Sequence, residues 1–289
     1  ELVKMNILSL FNGMSTGHTA LDNVGIKVDK YYSSEIKPAA IKLTQHHYPN
    51  TIQLGDVTEW KEWDIEWSEI DMVLSGSPCQ DLSMAGKRVG IHGGKSSLFF
   101  TFVDILNNVK KYNPNVLFFQ ENVGSAPRED IGIMSRELGV YPVRINSSLV
   151  TAQLRDRYYW SNICTNKEGL FGDLVTDIPQ PKDRKIMFKD IITKGYTDRK
   201  KSRAILESEE RPLKDKMKLF KRYKKVGMIN IIFDNKNCNY NENLRILNQK
   251  ELERLQGFPD NWTHILNRND AASLLGDGWT LPVIEHIFS

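Results

Sequence analysis

Short, continuous apolar runs alternate with helix-like stretches through the first half of the chain, and few architectures can bury that pattern. Residues 6–11, 30–34, 71–74 and 116–119 read as strands, with helices over residues 39–43 and 97–109. Strands apolar on both faces are covered on both faces, and strands that alternate with helices assemble into a parallel sheet. The expected fold is therefore α/β, with a doubly wound sheet. At 289 residues the chain holds one large domain, or a large domain carrying a smaller one. Periodicity weakens after about Thr165, where Gly169, Gly172, Pro179 and Pro181 interrupt it. A helix returns over residues 249–256, stopped by Gly257 and Pro259, and the tail over 281–288 is helical with one apolar face.

Net charge is only +3, but it is unevenly placed. Residues 182–225 carry 17 Lys and Arg against 7 Asp and Glu, which leaves the remainder acidic. One basic segment on an acidic protein is the footprint of a polyanion-binding element; a solvated, charged helical face is the plainer alternative. Hydrophobic residues at 40% and charged residues at 26% exclude a disordered or low-complexity chain. No apolar run approaches the ~18 residues that span a bilayer, and no secretory signal is read at the N-terminus. Residues 1–4 read as a tag remnant before a native Met5. Cys79, Cys164 and Cys238 are too few and too scattered for a disulfide framework or a four-cysteine zinc site. A cytoplasmic protein without a metal centre is expected.

Four places carry chemistry. The first is Phe11-Asn12-Gly13-Met14-Ser15-Thr16-Gly17, where glycines let a ligand approach the backbone and the following helix start favours anionic groups. Glu35, at the end of the second strand, can accept both hydroxyls of a ribose, and Asp56 falls where a third strand should end. The second is Gly76-Ser77-Pro78-Cys79-Gln80, a cysteine on a rigid turn beyond a buried strand. Residues 81–96 follow with the glycine- and cation-rich composition of a lid. Nearby positive charge lowers a thiol pKa as a nucleophile requires; a small buried hydrophobe is the other reading of a lone cysteine. The third is Phe119-Gln120-Glu121-Asn122-Val123, which places a carboxyl group at the end of a core strand. Apolar surroundings there can hold it partly protonated as an acid or donor; a helix-capping acid is the alternative. The fourth is Gln153-Leu154-Arg155-Asp156-Arg157, where an extended chain projects Gln153, Arg155 and Arg157 to one face. That face suits an anionic or hydrogen-bonding substrate, or a plain surface strand.

In this order, Phe11-x-Gly13, Glu35, Asp56, Pro78-Cys79-Gln80, Glu121-Asn122-Val123 and Gln153-x-Arg155-x-Arg157 resemble the DNA cytosine-5 methyltransferases. So do Glu253-Arg254-Leu255-Gln256-Gly257-Phe258-Pro259 and Gly276-Asp277-Gly278-Trp279. Only residues 165 to about 243 fall outside the resemblance. Residues 8–11, 75–79, 81–83, Trp279 and 282–284 look like the catalytic domains of the animal de novo DNA methyltransferases, on the scale of a compact bacterial or phage enzyme.

The resemblance implies a Rossmann-like S-adenosylmethionine-dependent methyltransferase sheet with a smaller target-recognition domain. Residues 1–164 would bind cofactor and catalyse, 165–261 would form the basic recognition domain, and 262–289 would return to the catalytic domain. S-adenosyl-L-methionine is the implied donor and S-adenosyl-L-homocysteine its product. The pocket would comprise Phe11, Gly13, Glu35, Ile36, Asp56, Val57, Pro78, Leu98, Asp277, Gly278 and Trp279. Asp277 departs from the family's usual Gly-Asn there. By motif position Cys79 would attack C6 of a cytosine rotated out of double-stranded DNA. Glu121 would bind N3 and the amine, Arg157 would hold O2, and Arg155 and Gln153 would position the site. Ser83, Lys87 and Arg88 in the lid, with Arg199, Lys200, Lys201 and Arg203, are the candidate DNA contacts. A cognate restriction endonuclease is a possible partner in this family. The alternatives are an RNA cytosine-5 methyltransferase and a non-catalytic DNA-binding paralogue. The first would carry Cys-Phe-Thr motifs not found here, and the second would lack the nucleophile or cofactor motif.

Overall fold

The computed structural model describes residues 4–78, 98–170, 172–206, 215–226 and 229–289. The chain packs as two units, one of Glu1–Ile145, Asp156–Gln180 and Ile287–Ser289, the other of Asn146–Arg155 and Pro181–His286.

The first unit is built on a seven-stranded sheet of β1 (Lys4–Leu10), β2 (Lys27–Ser34), β3 (Ile52–Gln53), β4 (Met72–Ser75), β5 (Leu117–Val123), β6 (Val143–Asn146) and β8 (Asp156–Ser161). Their order is β3-β2-β1-β4-β5-β8-β6. From β3 to β5 each neighbouring pair is parallel, and β8 then joins β5 antiparallel. Strands this apolar are stable only in the middle of a sheet: Ile7, Leu8, Leu10, Val73 and Leu74 are fully buried. The connecting helices are α1 (Thr16–Asn23), α2 (Pro38–His47), α3 (Leu98–Tyr112) and α4 (Arg128–Leu138). In α3, Phe99, Phe102, Val103, Leu106 and Val109 recur at helical spacing and enter the same core as Leu8, Val73 and Phe118. Burying each such side chain contributes roughly 1.5–3 kcal/mol. The mostly parallel α/β sheet agrees with the expected fold. One boundary differs, since β5 runs past its apolar stretch to Val123, so Glu121 sits inside the strand rather than at its end. A hairpin of β9 (Thr165–Glu168) and β10 (Asp173–Thr176) also packs with this unit.

In the second unit β7 (Gln153–Leu154) pairs parallel with β11 (Ser202–Arg203). Its helices are α5 (Phe188–Ile191), α6 (Lys216–Val226), α7 (Gln249–Gln256), α8 (Arg268–Asp277) and α9 (Leu281–Phe288). The observed bounds of α7 and α9 coincide with the sequence expectation. Asn248 explains where α7 starts, because its side chain accepts from the Glu251 amide at 3.0 Å while Glu251 accepts from the Asn248 amide at 2.9 Å. Glu251 is fully buried and receives both Arg245 terminal nitrogens at 2.8 Å, with Thr193 donating twice more at 2.8 Å. Burial opposes ionisation of Glu251, but the Arg245 fork and these amides outweigh it and hold the carboxyl below its usual range. Among the described residues no helix is long and apolar enough to cross a membrane.

Removing one partner of a buried pair strands the other, so Arg245→Ala should cost about 3 kcal/mol near neutral pH. Urea unfolding checks this. The stability lost by the variant should shrink as pH falls through the acidic range where the wild-type carboxyl takes up its proton.

Candidate active site

The turn after β1 is left-handed at Phe11 (φ 54°), Gly13 (φ 57°) and Ser15 (φ 59°). For the two residues with side chains this conformation costs roughly 1 kcal/mol or more each, so the surroundings must hold it. Glu35 does part of that. Its Oε2 accepts from the Gly13 amide at 2.7 Å, and its Oε1 accepts from Ile36 and Lys37 at 2.8 and 2.9 Å. The neighbouring strand ends are tied in the same way. The Asn12 amide donates to the Ser34 carbonyl at 3.1 Å, the Ser34 hydroxyl to the Gly55 carbonyl at 2.8 Å, and the Leu54 amide to the Ser33 carbonyl at 2.8 Å. Asp56 Oδ1 accepts from the Thr58 amide and hydroxyl, each at 2.8 Å, which caps the short 3₁₀ helix Val57–Glu62. Val57 is buried, whereas Ile36 is 66% exposed. Among the described residues, a Cβ added at Gly13 would meet nothing nearer than the Phe11 carbonyl at 4.0 Å. Pro78 and Leu98 are half-buried, and Leu98 packs against the same core as Phe11.

Beneath the turn lies a polar cluster that the sequence did not mark. The Asn12 side-chain Nδ2 donates to Ser15 Oγ at 2.7 Å, Tyr31 donates to Asn12 Oδ1 at 3.1 Å, and Ser15 Oγ meets Thr44 Oγ1 at 2.9 Å. His18 is stacked between Tyr31 and Tyr48, with ring centroids 4.4 and 3.8 Å away. Burial pushes its imidazole down to about 4. These residues come from the β1–α1 turn, α1, β2 and α2, so no local motif contains them.

The second group lies on the antiparallel pair of strands. Glu121 on β5 and Arg157 on β8 form an ion pair at 2.8 Å, with side chains 12% and 17% exposed. The surroundings of Glu121 therefore include a guanidinium and are not simply apolar as expected. Arg157 also donates to the Asp156 carbonyl at 2.8 Å, leaving the pair fixed in direction.

Gln153 and Arg155 do not continue that face. The strand breaks at Arg155: β7 pairs with β11, whereas β8 pairs with β5. Gln153 is fully buried, donating to the Leu255 carbonyl and Gln256 Oε1 at 2.9 Å and accepting from the Ile205 amide at 3.1 Å. Arg155 is also buried, and its guanidinium holds the carbonyls of Gly276 and Gly278 at 3.0 and 2.9 Å. Within the second unit it thus fixes the turn of Asp277, Gly278 and Trp279. Residues 253–259 serve the fold in a similar way. Glu253 accepts from the amides of Asn261 and Thr263 at 2.7 Å, and Arg254 grips Asp260 through two bonds of 2.7 Å.

The basic segment divides into interior and surface cations. The Lys201 ammonium donates to the carbonyls of Ser148, Thr151 and Ile186 at 2.6, 3.0 and 2.5 Å. Arg199 lies 4.0 Å over the Tyr223 ring and donates to the Ile229 carbonyl at 2.7 Å. Lys200 and Arg203 are exposed, as are Lys218, Lys221, Arg222 and Lys225 on the outer face of α6, while Leu219 and Tyr223 enter the core. Cys79, Gln80, Ser83, Lys87, Arg88 and the rest of the expected lid lie outside the described residues.

The sequence profile of the C-5 cytosine-specific DNA methylase family matches residues 5–137 and 143–289. The orphan methyltransferase M.Rho11sI of Bacillus phage rho11s is 29% identical over 201 residues, covering 66% of this chain and 38% of that protein. The type II methyltransferase M1.ScrFI of Lactococcus lactis subsp. cremoris is 26% identical over 317 residues, covering 99% of this chain and 78% of that one. This chain thus spans well under half the length of the phage relative. Among solved structures, the Entamoeba histolytica methyltransferase EhMeth shares the fold, with a TM-score of 0.69 at 15% identity over 99% of this chain and 97% of that one.

Because folding holds His18 neutral well below its usual value near 6.5, the unfolded chain takes up its proton first. Stability should therefore fall as pH drops from about 6.5 towards 4, and His18→Phe should flatten that part of the curve. Thermal unfolding of both proteins across this range checks it.

Proposed function

The chain belongs to the C-5 cytosine-specific DNA methylase family, and from that premise we propose that it methylates C5 of cytosine in double-stranded DNA, with S-adenosyl-L-methionine as donor. The observation that carries the reading is the Glu121–Arg157 pair. N3 and O2 are neighbouring atoms on one edge of a cytosine, and a carboxyl already touching a guanidinium can meet both at once. The base must first leave the helix stack to reach such a pair.

The residues around the β1 turn fit the donor. Glu35 offers carboxylate oxygens to ribose hydroxyls, the Phe11 ring and exposed Ile36 offer apolar surface to adenine, and Asp56 offers an acceptor to its amine. When bound, the donor supplies an electrophilic methyl group. Cys79, by its place in the motif, is the thiolate that adds to C6, breaking the C5–C6 double bond and making C5 nucleophilic. Glu121 stabilises the resulting enamine through N3 and the exocyclic amine, and Arg157 holds O2. With the methyl group on C5 and S-adenosyl-L-homocysteine as the departing product, loss of the C5 proton to a base would restore the C5–C6 double bond and expel the Cys79 thiolate from C6. Gln153 and Arg155 serve as positioning residues through their bonds within the second unit.

The first test is bisulfite sequencing of unmethylated plasmid after incubation with protein and donor. Protected cytosines in a single sequence context are expected, and methylation of RNA alone would overturn the DNA reading. Cys79→Ala should abolish turnover while donor binding survives. Arg157→Ala should lower kcat by about 10²–10³, the loss typical of a removed electrostatic stabiliser. Arg157→Lys should not restore it, because an ammonium lacks the planar fork.

The surface cations of the second unit would contact phosphates. Replacing Lys221, Arg222 and Lys225 by Ala should flatten the log–log salt dependence of DNA binding by about 0.9 per lost contact. Lys201→Ala should leave that slope unchanged and lower the unfolding temperature, since its ammonium serves interior carbonyls.

A further inference from the structure

We propose that Asn12, Ser15 and Thr44 are positioning residues that preset the left-handed turn for the donor, an inference that rests on the cofactor reading above. Ser15 stands where α1 begins, a place where serine ordinarily caps the helix with its hydroxyl. Here it makes no such cap. Its hydroxyl turns sideways, fully buried, to Asn12 at 2.7 Å and Thr44 at 2.9 Å. Asn12 is itself fixed from the other side by Tyr31 at 3.1 Å. The hydrogen-bonding groups of this cluster are thus turned inward, away from any ligand.

What the cluster controls is backbone conformation. Phe11 and Ser15 both occupy a region that residues with a Cβ leave readily, and Gly13 between them has no preference of its own. Anchors on Asn12 and Ser15 bracket Gly13, so they set the direction of its amide and of the Phe11 ring. Without them the unliganded turn would spread over several conformers. Apparent affinity then falls in proportion to the fraction that remains competent.

The experiment is calorimetric titration with S-adenosyl-L-homocysteine, alongside thermal unfolding without ligand. Thr44→Val should raise Kd by about tenfold, as expected if the competent fraction drops by that factor, and Thr44→Ser should restore it. Ser15→Gly should bind more tightly than Ser15→Ala, since glycine keeps the left-handed conformation without strain while alanine does not. Lower unfolding temperatures with unchanged Kd in all these variants would show a merely structural cluster and overturn the proposal. A wild-type protein that does not bind S-adenosyl-L-homocysteine would instead refute the cofactor reading.

Discussion

The reversal of strand direction between β5 and β8 is the constraint on which the candidate site depends. In a parallel sheet, ligands gather at the carboxyl ends of the strands. Because β8 runs the other way, its beginning, not its end, reaches that edge. The register sets Glu121 opposite Tyr159 and Arg157 opposite Val123, so Glu121 and Arg157 are diagonal neighbours on one face. Two long side chains can close that diagonal, and they do, at 2.8 Å. Gly124 lets the seam stay tight beyond the pair: a Cβ there would lie 2.7 Å from the Asp156 carbonyl. Asp156 is in turn held by Arg144, whose Nε donates to it at 2.8 Å.

Local rules made much of the fold legible. Gly257 and Pro259 end α7 where the sequence places its end, and the helix read over residues 97–109 falls within a few residues of α3. Longer-range features were less accessible. Alternation in an extended chain places Gln153, Arg155 and Arg157 on one face, but it presumes a continuous strand, and the chain changes partner at Arg155. The identities of Glu121 and Arg157 were visible in the sequence. Their contact was not, because it follows from a register between segments 36 positions apart. The sequence places Asn12 and Ser15 in a ligand-binding turn but gives no sign that their side chains meet Tyr31 and Thr44, which come from other elements.

Charge shows the same division between composition and structure. Composition counts Lys201 and Lys221 alike, yet one ammonium is bound by three carbonyls and the other faces solvent. Burial pulls both the Lys201 ammonium and the Arg199 guanidinium below their usual ranges. A basic segment can therefore build its own scaffold and still present a charged exterior.

The Lys201 anchor has a consequence for how the surface of this unit can change. One side chain ties two stretches of main chain to its own through their carbonyls, and carbonyls are present whatever residues those stretches carry. The outer face of α6 touches none of these bonds. Substitutions on that face can alter the exposed charge while the interior lattice persists, so the surface can drift in evolution without a new fold having to be found.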